Sequence, residues 1–130
     1  MIGISVSRIG KFWLFAAVVY YLTLMVLTHI PQEHMGADLG VFNLDKLLHV
    51  SAYAVLTFLL TKACSHAQNM TVQWLYMLPL LLVLAALDEW TQAYVGRTCS
   101  LADYIADLIG MGLVLMGQYT FRKVYRVGAL

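Results

Sequence analysis

The chain has 130 residues, of which 62% are apolar and only 12% charged, with a formal net charge of +1. Soluble domains carry about twice that charged share. The basic residues also lack the clustering that a phosphate backbone requires, so an ordinary soluble fold and a nucleic-acid partner are both excluded.

Runs of about 18 or more mostly apolar residues read as membrane-spanning helices. Four occur, at about 9–30, 44–64, 72–95 and 100–121. The connections are short, so consecutive helices run antiparallel as neighbours. The expected fold is all-α, a polytopic membrane protein whose single domain, residues 1–130, is a four-helix transmembrane bundle. The first run follows Arg8 and Lys11 and is longer than the about 7–15 apolar residues of a signal peptide, with no small-x-small cleavage site after it. It reads as an uncleaved anchor. Arg8, Lys11, Lys62, Arg122, Lys123 and Arg126 fall at three places that a four-helix chain puts on one side, and the positive-inside rule makes that side the cytoplasm. Both termini are therefore expected in the cytoplasm. The 31–43 connection, with Glu33 and Asp38, is expected outside, as is Arg97. Cys64 and Cys99 then lie at opposite ends of spans about 30 Å long, too far for a disulfide, which needs Cα atoms within about 7 Å.

The first segment has no charge between Lys11 and His29 and reads as a packing and anchoring helix ended by Pro31. His29 and His34, near the outer surface, read as solvated or interfacial groups in preference to metal ligands. Asn43 is the expected N-cap of the second helix. Asp45, His49 and Tyr53 follow at spacings of four and so share one face. Lipid exposure of those groups would cost several kcal/mol, so the face is expected to point inward. Asp45 gains from the helix dipole. Lys46 either joins the polar face or snorkels to the headgroups.

After the inner turn with His66 and Gln68, the third helix is expected from about Thr71, with Pro79 kinking it or freeing a carbonyl. It ends in Asp88 and Glu89, and Gln92 lies on the face of Asp88. One reading pairs Asp88 or Glu89 with Arg97 or Lys46 as a structural ion pair. The fourth helix opens on Ser100-x-x-Asp103, a capping-box pattern. Asp107 lies one turn further along the face of Asp103, and Ala102, Ala106 and Gly110 form a ridge of small residues that admits a close neighbour.

Asp45, Asp88, Glu89, Asp103 and Asp107, with Lys46, His49, Gln92 and Arg97, thus fall at one depth, in the outer halves of three helices. The inner halves contain no acid and offer no polar continuation, which argues against a proton path or transporter. The set Asp45-Lys46-x-x-His49-x-x-x-Tyr53, Asp88-Glu89-x-x-Gln92 and Arg97-x-x-Ser100-x-x-Asp103, followed by Gly110, resembles the signature of the VanZ-like membrane protein family across about residues 44–112. The resemblance implies a small bacterial inner-membrane protein and, for the family's founding member, a link to low-level resistance to the glycopeptide antibiotic teicoplanin. Asp107 departs from the pattern, which usually has Asn there.

Two functions are consistent with this arrangement. In the first, Asp45, Lys46, His49, Tyr53, Asp88, Glu89, Gln92, Arg97, Ser100, Asp103 and Asp107 line an outward polar pocket for a lipid headgroup, a lipid-linked cell-wall precursor or a lipophilic glycopeptide. Arg97, Lys46 and the start of the second helix would receive a phosphate. In the second, the protein is a membrane-embedded enzyme acting on a lipid-linked phosphate. Asp88, Glu89, Asp103 and Asp107 would then hold a divalent cation and His49 would serve as base.

Overall fold

The computed structural model describes the backbone of residues 7–30, 42–65, 70–97 and 99–127, and within these the side chains of 7–30, 45–65, 76–97 and 99–121. Glu33, His34, Asp38, Pro31, His66 and Gln68 lie outside the described residues. Four helices follow in order: α1, Arg8–Thr28; α2, Phe42–Ser65; α3, Met70–Gln92; and α4, Leu101–Val127. All four are long and apolar enough to cross a membrane. Their surfaces agree with that assignment. Phe12, Phe15, Leu22 and Val26 on α1, and Leu113 and Met116 on α4, are all more than half exposed. A water-soluble bundle would bury such residues, whereas acyl chains solvate them.

Local chemistry sets several of the ends. Ser7 caps α1 by accepting a hydrogen bond from the Gly10 amide at 3.1 Å. Asn43 is not a cap: α2 already begins at Phe42, which puts Asn43 inside its first turn. α3 runs through Pro79 without a break. It then tightens into a 3₁₀ turn, Ala93–Val95, that ends on Gly96 in the left-handed region at φ 76°. Glycine carries that angle without the Cβ clash another residue would meet. α4 continues past the expected end, through the basic segment to Val127.

α2 is the hub of the bundle. It packs most extensively on α4, next on α1 and less on α3, while α1 and α3 meet only briefly. The core runs down this hub through Tyr53, Leu56 and Leu60, joined by Ala17 of α1, Met77, Leu81 and Ala85 of α3, and Met111 of α4. Tyr20 and Tyr21 tie α1 to its neighbours, donating to the Ala52 carbonyl at 3.2 Å and the Leu84 carbonyl at 3.4 Å. The far half of the bundle is less apolar than the sequence suggested. Thr57 and Thr61 are buried there, and Gln118 Nε2 donates to Thr61 Oγ1 at 2.5 Å. These groups are neutral; the Thr61 hydroxyl donates to the Phe58 carbonyl of its own helix at 2.8 Å, while the Thr57 hydroxyl has no partner among the described residues.

The small-residue ridge of α4 performs as its spacing suggests. Ala106 and Gly110 are buried, and a Cβ on Gly110 would run into the Val50 carbonyl of α2 and lie 3.1 Å from the Ala54 amide. Those obstacles are backbone, so they cannot rotate away. Gly112 and Gly117 have open space instead. Gly110→Ala should destabilise the bundle by about 1–3 kcal/mol, the usual cost of overpacking, whereas Gly112→Ala should be neutral or mildly stabilising. Reversible unfolding in mixed micelles checks both, and equal effects would remove the close α2–α4 approach.

Candidate functional site

α1 and α3 finish, and α2 and α4 begin, at the same end of the bundle. At that end the ionisable side chains turn inward. His49, Asp88, Glu89, Gln92, Asp103 and Asp107 are all at least nine-tenths buried, and Tyr53 lies one turn below His49. Exposing the charged groups to hydrocarbon would cost several kcal/mol each, so each charge calls for a partner inside the bundle; the buried Gln92 Nε2 has none among the described residues.

The partners differ from those the spacing suggested. Successive residues on a helix project about 100° apart, so Asp88 and Glu89 leave α3 in different directions. Asp88 faces α1 and accepts a hydrogen bond from Thr28 Oγ1 at 2.8 Å. His29 Nδ1 lies 3.9 Å from the same carboxylate oxygen. Glu89 faces α4 and α2: its Oε2 accepts the Ser100 amide at 3.0 Å, and its Oε1 lies 3.8 Å from His49 Nδ1. Neither acid pairs with Arg97 or Lys46 as the ion-pair reading had it. Lys46 pairs with Asp103 between α2 and α4, and Arg97 Nη2 lies 3.6 Å from Asp45 Oδ1. The turn through Gly96 carries Arg97 back over the end of α3, where its amide donates to the Gln92 carbonyl at 3.2 Å.

The capping box at Ser100 is also replaced. The Ser100 carbonyl accepts from the Asp103 and Tyr104 amides at 3.0 and 3.1 Å, so Ser100 does begin α4. The carboxylate that takes its amide is Glu89 from α3, because Asp103 is engaged by Lys46. A contact within one helix has become a contact between two. Asp107, one turn deeper, accepts from His49 Nδ1 at 2.9 Å with the pair buried.

α1 contributes more than anchoring. His29 is half-buried, and its Nε2 lies 2.9 Å from Thr91 Oγ1. Thr28 and His29 thus complete the site from a helix that the sequence left out of it. The signal available was their position: two polar residues ending an apolar helix at the depth where the other three helices carry their charges.

A cavity of about 320 Å³ opens between α1 and α2 at this level. Tyr20, Leu24, Leu27, Leu48 and Val55 form its apolar walls, and Thr28, Asp45, His49, Asp88 and Arg97 its polar end. Tyr53 also lines it, with a buried hydroxyl that has no hydrogen-bond partner among the described residues. Of the four acids expected to hold a cation, the structure divides the set. Glu89 and Asp107 converge with His49, Asp103 converges with Asp45 and His49, and Asp88 belongs to neither group. Cys64 and Cys99 are both free thiols.

Comparison with protein-family models, curated proteins and solved structures finds no match to this chain.

The Asp88 arrangement gives a direct test. Thr28→Val keeps the shape and removes the hydroxyl, leaving a buried carboxylate oxygen without its short donor. The expected loss is about 1.5–3 kcal/mol of bundle stability. Thr23→Val, at an exposed position where the hydroxyl bonds only to its own helix, should change stability by about 0.5 kcal/mol or less. Denaturation in the same detergent compares them, and equal effects would mean that Thr28 does not support Asp88.

Proposed function

We propose that this chain is a multi-pass protein of a bacterial inner membrane whose outward-facing cavity binds the polar headgroup of a lipid or lipid-linked molecule. The observation that carries the reading is the composition of the cavity between α1 and α2. One end is apolar, and two of its wall residues, Leu27 and Leu48, are also more than half exposed on the outer surface of the bundle. An acyl or prenyl chain can therefore lie along the α1–α2 seam. The other end offers a guanidinium, two carboxylates, an imidazole and a hydroxyl. About 320 Å³ also falls within the about 300–1,000 Å³ common for small-molecule sites.

Arg97 supplies the anion seat. Its guanidinium is planar and matches a phosphate with two parallel N–H donors. Its present partner Asp45 is half-exposed and 3.6 Å away, a loose pairing that a phosphate oxygen can displace. Asp45 and Asp88 then suit an ammonium or sugar hydroxyls on the same headgroup. The placement of basic residues supports cytoplasmic termini and a site at the outer leaflet. The VanZ-like pattern supports an envelope role, with altered susceptibility to teicoplanin-type glycopeptides as its cellular consequence. A second reading, a metal-assisted enzyme acting on a lipid-linked phosphate, draws support from His49, which belongs both to the cavity wall and to the buried carboxylate group.

Native mass spectrometry tests the binding reading. Wild-type protein should retain undecaprenyl phosphate or an anionic phospholipid, and Arg97→Ala should retain it at least about tenfold less, since a charge-assisted hydrogen bond contributes about 1.5–3 kcal/mol. Equal retention by both proteins would remove the phosphate seat.

A further inference from the structure

We propose that His49 of α2, Glu89 of α3 and Asp107 of α4 form a binding site for one divalent first-row transition-metal ion, a site that stands whatever molecule the neighbouring cavity receives. Each of the three helices gives one residue, and one donor atom from each lies within 4.8 Å of the others. The measured separations from His49 Nδ1 are 2.9 Å to Asp107 Oδ1 and 3.8 Å to Glu89 Oε1. Ligand bonds of about 2.0–2.2 Å at tetrahedral or octahedral angles put donor atoms about 3–3.5 Å apart. The observed pair brackets that range, so small side-chain rotations close the site.

The second observation is the state of the carboxylate oxygens. Glu89 and Asp107 are 4% and 0% exposed, yet Glu89 Oε1 and Asp107 Oδ2 have no hydrogen-bond partner among the described residues. Glu89 holds its other oxygen on the Ser100 amide, which aims Oε1 at His49 at a distance too long for a hydrogen bond. Buried oxygens of this kind are normally satisfied. Glu89 Oε1 and Asp107 Oδ1 converge on His49 Nδ1. The second unpartnered oxygen, Oδ2, belongs to that same Asp107 carboxylate, so each acid has an oxygen to offer a cation.

The charges agree. Two carboxylates meet one imidazole, and even a protonated His49 leaves one negative charge in excess. The neighbouring cations are directed elsewhere: Lys46 to Asp103, Arg97 to Asp45, and His29 toward Asp88. A divalent ion balances the pair when His49 is neutral with its proton on Nε2, which leaves the Nδ1 lone pair for the ion in place of the hydrogen bond to Asp107. The alternative convergence of Asp45, His49 and Asp103 lacks this deficit, because Lys46 already sits on Asp103.

The donor set selects the metal. Calcium requires about six to eight oxygen ligands, more than these residues supply. One imidazole nitrogen and two carboxylates suit Mn²⁺, Fe²⁺ or Zn²⁺.

Full-length protein in lipid nanodiscs, treated with chelator and then dialysed against Mn²⁺, Zn²⁺ or Ca²⁺ alone, tests the site by elemental analysis. About one Mn²⁺ or Zn²⁺ per chain is expected, with no saturable uptake of Ca²⁺. Glu89→Gln and Asp107→Asn should bind at least tenfold more weakly, while Asp45→Asn and Arg97→Ala should bind as wild type does. The wild-type Mn²⁺ form supplies a test that does not depend on the core variants folding: pulsed electron paramagnetic resonance should show coupling to one imidazole ¹⁴N. No stoichiometric uptake by wild type, no nitrogen coupling, or loss of binding in Asp45→Asn alone would overturn the proposal. Uptake of metal with no lipid retention would uphold this site and count against the lipid reading, and the converse would do the reverse.

Discussion

A carboxylate in hydrocarbon is tolerated only beside groups that offset its charge, and the described residues include four buried ones among helices long and apolar enough to cross a membrane: Asp88, Glu89, Asp103 and Asp107. The rest of the structure follows from where their partners sit. Asp88 holds α3 to α1 through Thr28, Glu89 holds α3 to the start of α4, Asp103 holds α4 to Lys46 of α2, and Asp107 holds α4 to His49 of α2. Every helix is thus tied at this end by at least one charge-assisted contact. Where the contact is a buried ion pair, truncating one partner typically costs about 3–5 kcal/mol, because the survivor is left without compensation. The same contacts need not make the bundle more stable than an apolar core would. What they do fix is which helix faces which.

Packing and polarity act together at α2. Gly110 lets α4 come against the Val50 carbonyl, and that approach brings Asp107, less than one turn earlier on α4, onto His49, one residue before Val50 on α2. The apolar core then continues below through Tyr53, Leu56 and Leu60. Close backbone contact and a buried hydrogen bond therefore reinforce each other. On the opposite side of α2 the contact with α1 is looser at this level and leaves the cavity, with His49 standing between cavity and carboxylates.

Depth was readable from the sequence because an acid inside an apolar run is conspicuous, and the spacing of four in Asp45, His49 and Tyr53 put them on one face. The partners were not readable, since they depend on rotation about each helix axis. Asp88 and Glu89 look like one feature in the sequence and serve two different interfaces in the structure. Arg97 meets Asp45 only because the chain reverses through a left-handed Gly96. Thr28 and His29 were passed over because α1 carries no charge along its span, and Thr57, Thr61 and Gln118 because neutral polar residues do not stand out in an apolar run. The capping pattern at Ser100 misled for a related reason: a local motif predicts a local partner, and here Lys46 and Glu89 compete for the same groups from other helices.

The whole site depends on His49 facing the carboxylates of α3 and α4 instead of the acyl chains. Solid-state NMR of the protein in lipid bilayers, with ¹⁵N in the histidine rings and ¹³C in the aspartate side chains, reads this contact directly. Short-range transfer between the His49 ring nitrogen and the Asp107 carboxyl carbon, with none from the ring to lipid methylene protons, is the predicted result. A His49 ring that exchanges magnetisation with the acyl chains and not with Asp107 would contradict it.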